Sequence, residues 1–421
     1  MADPKQSKEI KSLQEASWLN TPAIKAVFKL FNNDGNLLRV VGGAPRDYLL
    51  GRPVGDIDLA TTLLPAEIIR RAEEAGLTAI PTGVEFGTVT VVSGGQSYEI
   101  TTLRRDVETD GRHAVVSFGT DWHEDASRRD FTMNALYLSP DGTLHDPLGT
   151  GIEDLRAGKL RFIGCANKRI KEDHLRALRF YRFAAFLINP PYDETALSAI
   201  IQNRAGLRRL SAERVRAELF KLLSADNPIP ALTSMYHCGV LTDILGTAPN
   251  INQLKTFIDL EEKLNFSAGP LLRLACLALW HRGDAARLAK RFRLSRNELA
   301  ELNALSLYKQ FPIFMPPAKL DKIALLKWHY KNGTKRYKAL LMLALAAKND
   351  QQNGDVSDWQ NLLAEADQRT FPPFPVNGKD LIAAGMTPGP QLGYELERLE
   401  DHWLTSEMKL GKQQLMKLAG A

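Results

Sequence analysis

Two rhythms of apolar and polar residues divide this 421-residue chain. Through about residue 145 the apolar stretches are short and β-branched. Leu37–Val41 is a compact apolar run that stops at Gly42-Gly43, while Thr88–Val92 and Ser97–Leu103 predict strands. Arg46–Leu50 and Pro65–Ala75 have helical spacing, the second with Pro early in the helix, where its missing N–H does no harm. Asp110-Gly111 predicts a polar turn, and Ala135–Leu138 and Thr143–His145 flank Pro140-Asp141-Gly142 in a hairpin-like pattern. From Arg169 onward strand signals fade and apolar residues recur at helical spacing: Leu175, Leu178, Phe183 and Phe186, then Val215, Leu219, Leu222 and Leu223. Polar Lys348–Asp358 reads as a linker, and the segment from Phe371-Pro372-Pro373 onward as short helices broken at Pro388-Gly389-Pro390. The expected fold is α+β: a small mixed α/β domain at 18–148, followed by all-α regions at 149–225, 226–347 and 348–421.

Composition narrows the class. A 44% hydrophobic content supports ordinary buried cores. Ala339–Ala347 is the longest apolar run and falls well short of the ~20 residues that span a bilayer. Met1–Ala16 mixes Lys with Asp and Glu and does not read as a signal or transit segment. The three widely spaced cysteines, Cys165, Cys238 and Cys276, suggest neither a metal cluster nor a disulfide framework, and fit a reducing cytoplasm. The net charge of +5 is modest but uneven: Lys159–Lys221 holds 14 Lys and Arg against 6 Asp and Glu, a net +8 that leaves −3 for the rest. Such a stretch is either a solvated helical surface or a contact for a polyanion.

The chemistry-bearing residues begin at Gly42-Gly43-Ala44-Pro45-Arg46-Asp47, followed by Asp56-Ile57-Asp58. A glycine pair between a strand and a helix lets backbone N–H groups approach phosphate oxygens, and Arg46 adds a charged donor. Asp56 and Asp58 lie two apart, so on a strand both face one way. Two hard carboxylates on one face suit Mg²⁺, which also takes phosphate oxygens and water. Glu99, in a neighbouring strand-like run, is a candidate third carboxylate. An Asp-x-Asp alone is most often a solvated turn; the preceding glycine loop makes it a candidate site.

Two further clusters add to it. In Arg128-Arg129-Asp130-Phe131-Thr132-Met133-Asn134, the arginine can neutralise a triphosphate, and Asp and Asn can bond ribose hydroxyls. Glu172–Phe183 reads as one helix on which Asp173, Arg176, Arg179 and Arg182 are spaced by three and share a face. The bland reading is one or two intrahelical salt bridges with an apolar back. The other is a cationic stripe for phosphates, with Arg176 as donor and Asp173 as acceptor reading a base edge. Cytosine and adenine each present a ring-nitrogen acceptor beside an amine donor; guanine and uracil present the reverse.

The ordered set Gly-Gly-x-x-Arg-Asp-x-Leu-Leu-Gly, Asp-x-Asp, Arg-Arg-Asp-Phe-Thr-x-Asn-Ala and Glu-Asp-x-x-Arg-x-Leu-Arg, between Val40 and Arg182, resembles the class II tRNA nucleotidyltransferases: CCA-adding enzymes and bacterial poly(A) polymerases of the polymerase β superfamily. The resemblance implies a catalytic head, a nucleotide-selecting neck, a body and a tRNA-binding tail at the four spans above. It implies that Asp56 and Asp58 hold catalytic Mg²⁺, with Glu99 beside them, and that Gly43, Arg46 and Arg129 contact the nucleotide. Asp173 and Arg176 resemble the family's base-selecting pair, with Arg179 and Arg182 lining the same site. Asp146-Pro147, Gly149 and Gly151 resemble its hinge. Ser211-Ala212-Glu213-Arg214 resembles its last neck motif, Glu213 and Arg214 being expected to buttress helices. Thr82–Thr90 and Asn377–Pro390 resemble CCA enzymes more than poly(A) polymerases. The implied reaction is template-free addition of C, C and A to the 3′ end of tRNA from CTP and ATP. Poly(A) addition, partial CC or A addition, and a non-catalytic RNA-binding protein on this scaffold are the alternatives; the loop Arg104–Asp125 argues against CC-only addition, and the intact Asp56 and Asp58 against a retired scaffold.

Overall fold

The computed structural model describes residues 13–32, 38–109, 114–187, 190–281, 283–310, 321–347 and 356–419. Residues 1–244 and 245–421 form two compact units.

The first unit opens with the mixed α/β part: α1 (Pro22–Phe31), β1 (Leu38–Val41), α2 (Gly43–Leu49), β2 (Asp58–Thr61), α3 (Pro65–Glu74), β3 (Thr78–Gly83), β4 (Thr88–Ser93), β5 (Gln96–Thr102), β6 (Arg104–Thr109), β7 (Ala114–Phe118), α4 (Trp122–Ser127), β8 (Tyr137–Leu138) and β9 (Leu144–His145). Seven strands form one sheet in the order β3-β4-β5-β2-β1-β8-β9, and β6 and β7 form a separate hairpin. Alternation sorts the sheet residues. Leu38, Val40, Leu59, Val89, Val91 and Ile100 join Ile24, Phe28 and Ile68 of α1 and α3 in one core. Val41 and Ala60 belong to a second core on the opposite face, with Ala126, Ala135, Tyr137 and Ile163. Asp58 has the parity of Ala60, so it begins β2 on that second face. β5 runs parallel to β2 and sets Glu99 directly opposite Asp58.

Helices follow: α5 (Gly151–Arg156), α6 (Ala166–Glu172), α7 (Leu175–Leu187), α8 (Glu194–Asn203), α9 (Ala212–Leu223), α10 (Ile229–His237) and α11 (Val240–Leu245). Within the first unit, helix α5 packs against the 3-10 turn Thr132–Asn134. A Cβ on Gly151 would lie 2.6 Å from the Thr132 carbonyl oxygen, so only glycine allows that approach. An aromatic column continues the joint: Phe131 stands 4.8 Å from Phe162 and 5.5 Å from Phe183, centroid to centroid.

The second unit is helical throughout its described residues: α12 (Ile251–Lys263), α13 (Pro270–Ala278), α14 (Asp284–Phe292), α15 (Arg296–Leu305), α16 (Lys322–Ala347), α17 (Val356–Gln368), α18 (Gly378–Ala383), α19 (Pro390–Thr405) and α20 (Lys412–Leu418). The apolar run Ala339–Ala347 is the mostly buried end of α16, which is kinked at Gly333 by a φ of 71°. Val376, Leu381, Leu399, Trp403, Leu404 and Leu415 form the last core. Among the described residues no helix is long and apolar enough to cross a membrane.

The α+β class is the one expected, with several local differences. The Arg104–Asp125 segment, read as a loop, carries the β6–β7 hairpin and the start of α4; the Asp110-Gly111 turn lies outside the described residues. β3 carries no strand signal in the sequence because it is an exposed edge strand containing Pro81, without the apolar alternation of a covered strand. β2 begins at Asp58, so Asp56 lies in the preceding loop rather than on the strand. Most of the Lys348–Asp358 linker lies outside the described residues, and α17 begins at Val356 within it. The expected single helix over Glu172–Phe183 is two: α6 ends at Glu172, Asp173 is extended (φ −151°, ψ 107°), and α7 starts at Leu175.

Candidate active site

A cavity of about 520 Å³ opens between the head strands and α7, all within the first unit. Gly43, Arg46, Asp56, Asp58, Arg129, Asp173, Arg176, Arg179 and Arg182 line it; Glu99 does not, although its strand register places it beside Asp58. Segments up to 172 residues apart in sequence, Gly42 and Arg214, thus converge on one space.

The carboxylate side is built by β1, β2 and β5. At the end of β1, Gly42 takes φ 76°, a left-handed value that costs glycine little, and starts α2. Asp58 is held above the usual carboxylate range: partial desolvation pushes it up, Glu99 and Asp56 add to that, and Arg129 opposes it. Crowded negative charge of this kind is relieved by a cation. Among the described residues no cluster of three His, Cys, Asp or Glu side chains converges as a metal cage. Two carboxylates facing an open cavity are nonetheless the donor set that suits a hard cation completing its shell with phosphate oxygens and water.

Arginines dominate the rest of the lining: Arg46, Arg128, Arg129, Arg176, Arg179, Arg182 and Arg214. Each is fixed by the protein. Arg46 donates to Asp47 Oδ1 and Oδ2 at 2.8 Å and to Asn134 Oδ1 at 2.6 Å. Asn134 in turn donates to Asp130 Oδ1 at 3.0 Å, and Arg179 reaches Asp130 Oδ2 at 2.6 Å. Burial alone would raise the Asp130 carboxyl, but Arg179 and Asn134 outweigh it and hold it below its ordinary range. The expected ribose contacts of Asp130 and Asn134 therefore compete with bonds they already make. Arg182 Nε lies 2.8 Å from Glu218 Oε2, yet neither atom forms a well-directed hydrogen bond. Burial lowers the affinity of Arg182 for its proton; Glu218 opposes this and Arg179 reinforces it. The guanidiniums of Arg182, Arg46 and Arg179 stand 4.2, 4.8 and 5.3 Å from the centre of the Phe183 ring, whose π-face favours cations.

The break at Asp173 is held by one local and one tertiary bond. Asp173 Oδ1 accepts from Leu175 N at 3.0 Å, opening α7, and Oδ2 accepts from Arg214 of α9 at 2.7 Å. Asp173 is thus tied to Arg214 and not to Arg176, so the intrahelical pair expected between 173 and 176 does not form. Arg176 instead donates to Glu172 at 2.8 Å, to the Arg169 carbonyl at 3.2 Å and to the Arg128 carbonyl at 2.9 Å. That leaves it N–H donors to spare, since a guanidinium has five in all. Arg214, expected only as a helix buttress, ties α9 to the α6–α7 junction and also lines the cavity.

Asp125 was not singled out from sequence. It is 1% exposed and lies behind the cavity wall. Its Oδ1 accepts from Arg128 at 2.8 Å; its Oδ2 accepts from Arg129 NH2 at 3.0 Å and from the Tyr137 hydroxyl at 2.7 Å. Burial would raise its carboxyl, but Arg129 and Arg128 hold it at about 2.

The chain is similar to known proteins along most of its length. Residues 38–161 match the family described as "Poly A polymerase head domain", 193–254 "Probable RNA and SrmB- binding site of polymerase A", and 268–419 a "tRNA nucleotidyltransferase domain 2". The mouse mitochondrial CCA tRNA nucleotidyltransferase 1 is 34% identical over 405 residues, covering 94% of this chain and 90% of the relative. The CCA-adding enzyme of Levilactobacillus brevis is 32% identical over 396 residues, covering 89% and 91%. Among solved structures, the Bacillus stearothermophilus CCA-adding enzyme in complex with CTP superposes with a TM-score of 0.74 at 26% identity, covering 93% of this chain and 96% of that one. The Thermotoga maritima CCA-adding enzyme complexed with tRNA shares the fold, with a TM-score of 0.63 at 22% identity over 94% and 93% of the two chains. With a shared head, a helical remainder and relatives matched along nearly their whole length, the chain belongs to the class II CCA-adding tRNA nucleotidyltransferases.

Proposed function

We propose that this chain adds C, C and A to the 3′ end of tRNA from CTP and ATP without a nucleic-acid template. The observation that carries this reading is that Asp56 and Asp58 line the same cavity as Asp173 and Arg176. Groups suited to phosphate chemistry thereby share one space with groups suited to a base edge. The RNA 3′-oxygen forms a bond to the α-phosphorus, the bond to the β-phosphate oxygen breaks, and pyrophosphate leaves. Mg²⁺ held by Asp56 and Asp58 would screen the charge that builds on the α-phosphate and favour the ionised 3′-oxygen. Arg46, Arg129, Arg179 and Arg182 bind and orient the triphosphate, and Gly43 leaves room for it; Glu99 supports Asp58 from the adjacent strand.

Base choice falls to Asp173 and Arg176. Arg176 donates to the ring nitrogen of cytosine or adenine and Asp173 accepts from the exocyclic amine. Uracil or guanine would leave buried groups unpaired, costing about 1–3 kcal/mol. The preformed bonds to Arg214, Glu172 and the Arg128 carbonyl support this role, because they lock both side chains before substrate arrives. We assign nucleotidyl transfer to the head (18–148), selection to the neck (149–225), and tRNA contact to the tail (348–421) beyond a helical body (226–347). The three free cysteines support a reducing, cytoplasmic setting.

The test is direct. Purified protein is given tRNA ending at the discriminator base, with CTP, ATP or all four NTPs, and the products are sequenced. A single CCA end supports the reading. An oligo(A) tail would favour poly(A) addition, products stopping at CC or requiring CC a partial enzyme, and no extension a binding protein.

A further inference from the structure

We propose that the His174 imidazole, seated on Gly206, is the positioning contact that holds Asp173 where it reads the base edge. This rests on the assignment of Asp173 to base choice given above. A Cβ on Gly206 would overlap both Nε2 and Cδ2 of the His174 ring, so the edge of the ring lies directly on bare backbone. Gly206 belongs to the 3-10 turn Arg204–Arg209 and stays outside the left-handed region. Its backbone conformation is therefore open to any residue, and what demands glycine is the space taken by the ring.

The seat is firm, and the ring stands at a junction. The 3-10 turn packs against α8 and buries Leu207. Arg204, at its start, meets Asp243 at 2.9 Å and donates to the Cys238 carbonyl at 3.3 Å. On the other side Asp173 is extended between α6 and α7, and the His174 carbonyl accepts from Ala177 N at 3.2 Å in the first turn of α7. Displacing His174 thus displaces the one residue that joins Asp173 to Leu175. Leu175 N and Arg214 hold the two Asp173 carboxylate oxygens. The seated ring holds the backbone from which that carboxylate extends. Burial, then Arg209, keep the His174 imidazole below its ordinary range against the pull of Asp173, so at pH 7 the ring rests on Gly206 uncharged. Placement of this kind matters because a misplacement of about 1 Å can cost far more in rate than in stability.

The experiment compares kcat/KM for CTP and UTP on a tRNA ending at the discriminator base, in full-length wild type, Gly206→Ala, His174→Ala, the double variant and Asp173→Ala, with melting temperature recorded for each. Gly206→Ala fills the seat and should lower the CTP-to-UTP ratio about tenfold, as the misalignment of one hydrogen bond does. His174→Ala empties the seat and should lower the ratio about threefold. The double variant should match His174→Ala, because the added methyl meets no ring; independent sites would add instead. A folded Gly206→Ala with the wild-type ratio, whatever its melting temperature, makes the contact merely structural and overturns the inference. A Gly206→Ala effect that persists in full without the ring overturns it as well. Asp173→Ala with an unchanged ratio overturns the base-reading assignment, and the inference with it. Should Gly206→Ala fail to fold, His174→Ala decides: a lowered ratio supports the inference and an unchanged one overturns it.

Discussion

Arg179 of α7 meets Asp130 of the head at 2.6 Å, and Asp130 is in turn bonded to Asn134, which holds Arg46. A single line of side chains thus runs from α7 to α2, the first helix after the glycine loop. Arg179 is held above its ordinary range because Asp130, then Glu218, outweigh its burial. Removing one partner from such a pair leaves a buried charge unmatched. Asp130→Asn should therefore lose activity through misplacement of both Arg179 and Arg46. The fall in kcat/KM should be on the order of a hundredfold, and Arg179→Lys, which keeps the charge but not the planar fork, should recover only part of what Arg179→Ala loses.

Asp56→Ala and Asp58→Ala should each abolish nucleotide addition in folded protein. Asp58→Asn should also raise the melting temperature slightly at pH 7, by about 1–2 °C given how open the site is. The Asp58 carboxyl is raised, so the folded state binds its proton more tightly than the unfolded chain. Its ionisation then costs stability as pH climbs from the ordinary aspartate value through the raised one. The advantage of Asp58→Asn over wild type should accordingly shrink below about pH 4. Melting curves at both pH values check it; a wild type more stable than the variant at pH 7 would remove the crowded-charge account.

Asp125 gives the opposite pH signature. Its folded carboxyl is held at about 2, below the unfolded value, so it contributes stability above pH ~4 that is lost as pH falls toward 2. That contribution is on the order of 2 kcal/mol. Denaturant titrations between pH 5 and 2 should show a weaker acid destabilisation in Asp125→Asn than in wild type.

Arg176→Ala and Asp173→Ala should relax the choice of C and A over U and G by roughly tenfold, the worth of one hydrogen bond. Arg214→Met should weaken the same preference while leaving phosphate chemistry closer to wild type, since Arg214 holds Asp173 Oδ2 at 2.7 Å. Relative kcat/KM for the four NTPs on acceptors ending in the discriminator base, C and CC measures all three. Neck variants that lose activity but keep the wild-type ratios would make Asp173 and Arg176 a structural anchor.

For tRNA affinity, the basic stretch Lys159–Lys221 should outweigh the head, but not through all its cations. Arg161, Arg169, Arg176, Arg179, Arg182, Arg204 and Arg214 are already in ion pairs. Arg208, 78% exposed and only 3.9 Å from its nearest acid, is the better phosphate contact. Its reversal to Glu should flatten the plot of log K against log salt by roughly 0.7–0.9. An unchanged slope for reversals across this stretch would place the tRNA elsewhere.

Much of this was legible from residue order, and what was not has physical reasons. The glycine pair, Asp56 and Asp58, the arginines of α7 and strands β4 and β5 announce themselves by spacing and β-branching. Asp125 does not: a buried acid in a polar segment looks like any surface acid until its two arginines and Tyr137 are placed around it. The break at Asp173 was hidden because Glu172–Phe183 is a good helix by propensity, and the force that opens it, Arg214, lies 41 residues away. Tertiary contact overrode local preference there, as it did in assigning Arg176 to the Arg128 carbonyl rather than to Asp173.

That last bond constrains how such enzymes can be recombined. Arg176 donates to the Arg128 carbonyl, and Arg169 to that of Ser127, so one arginine each from α7 and α6 caps the end of α4. A chimera that joins this head to foreign helices at the Gly149–Gly151 turn would carry the whole of α4 but neither of the two arginines at its C-terminal end. The crossover that keeps the joint native is a double one, exchanging residues around 121–134 and 169–182 as a set. Separate ancestry for the two halves would have to be written into both segments at once.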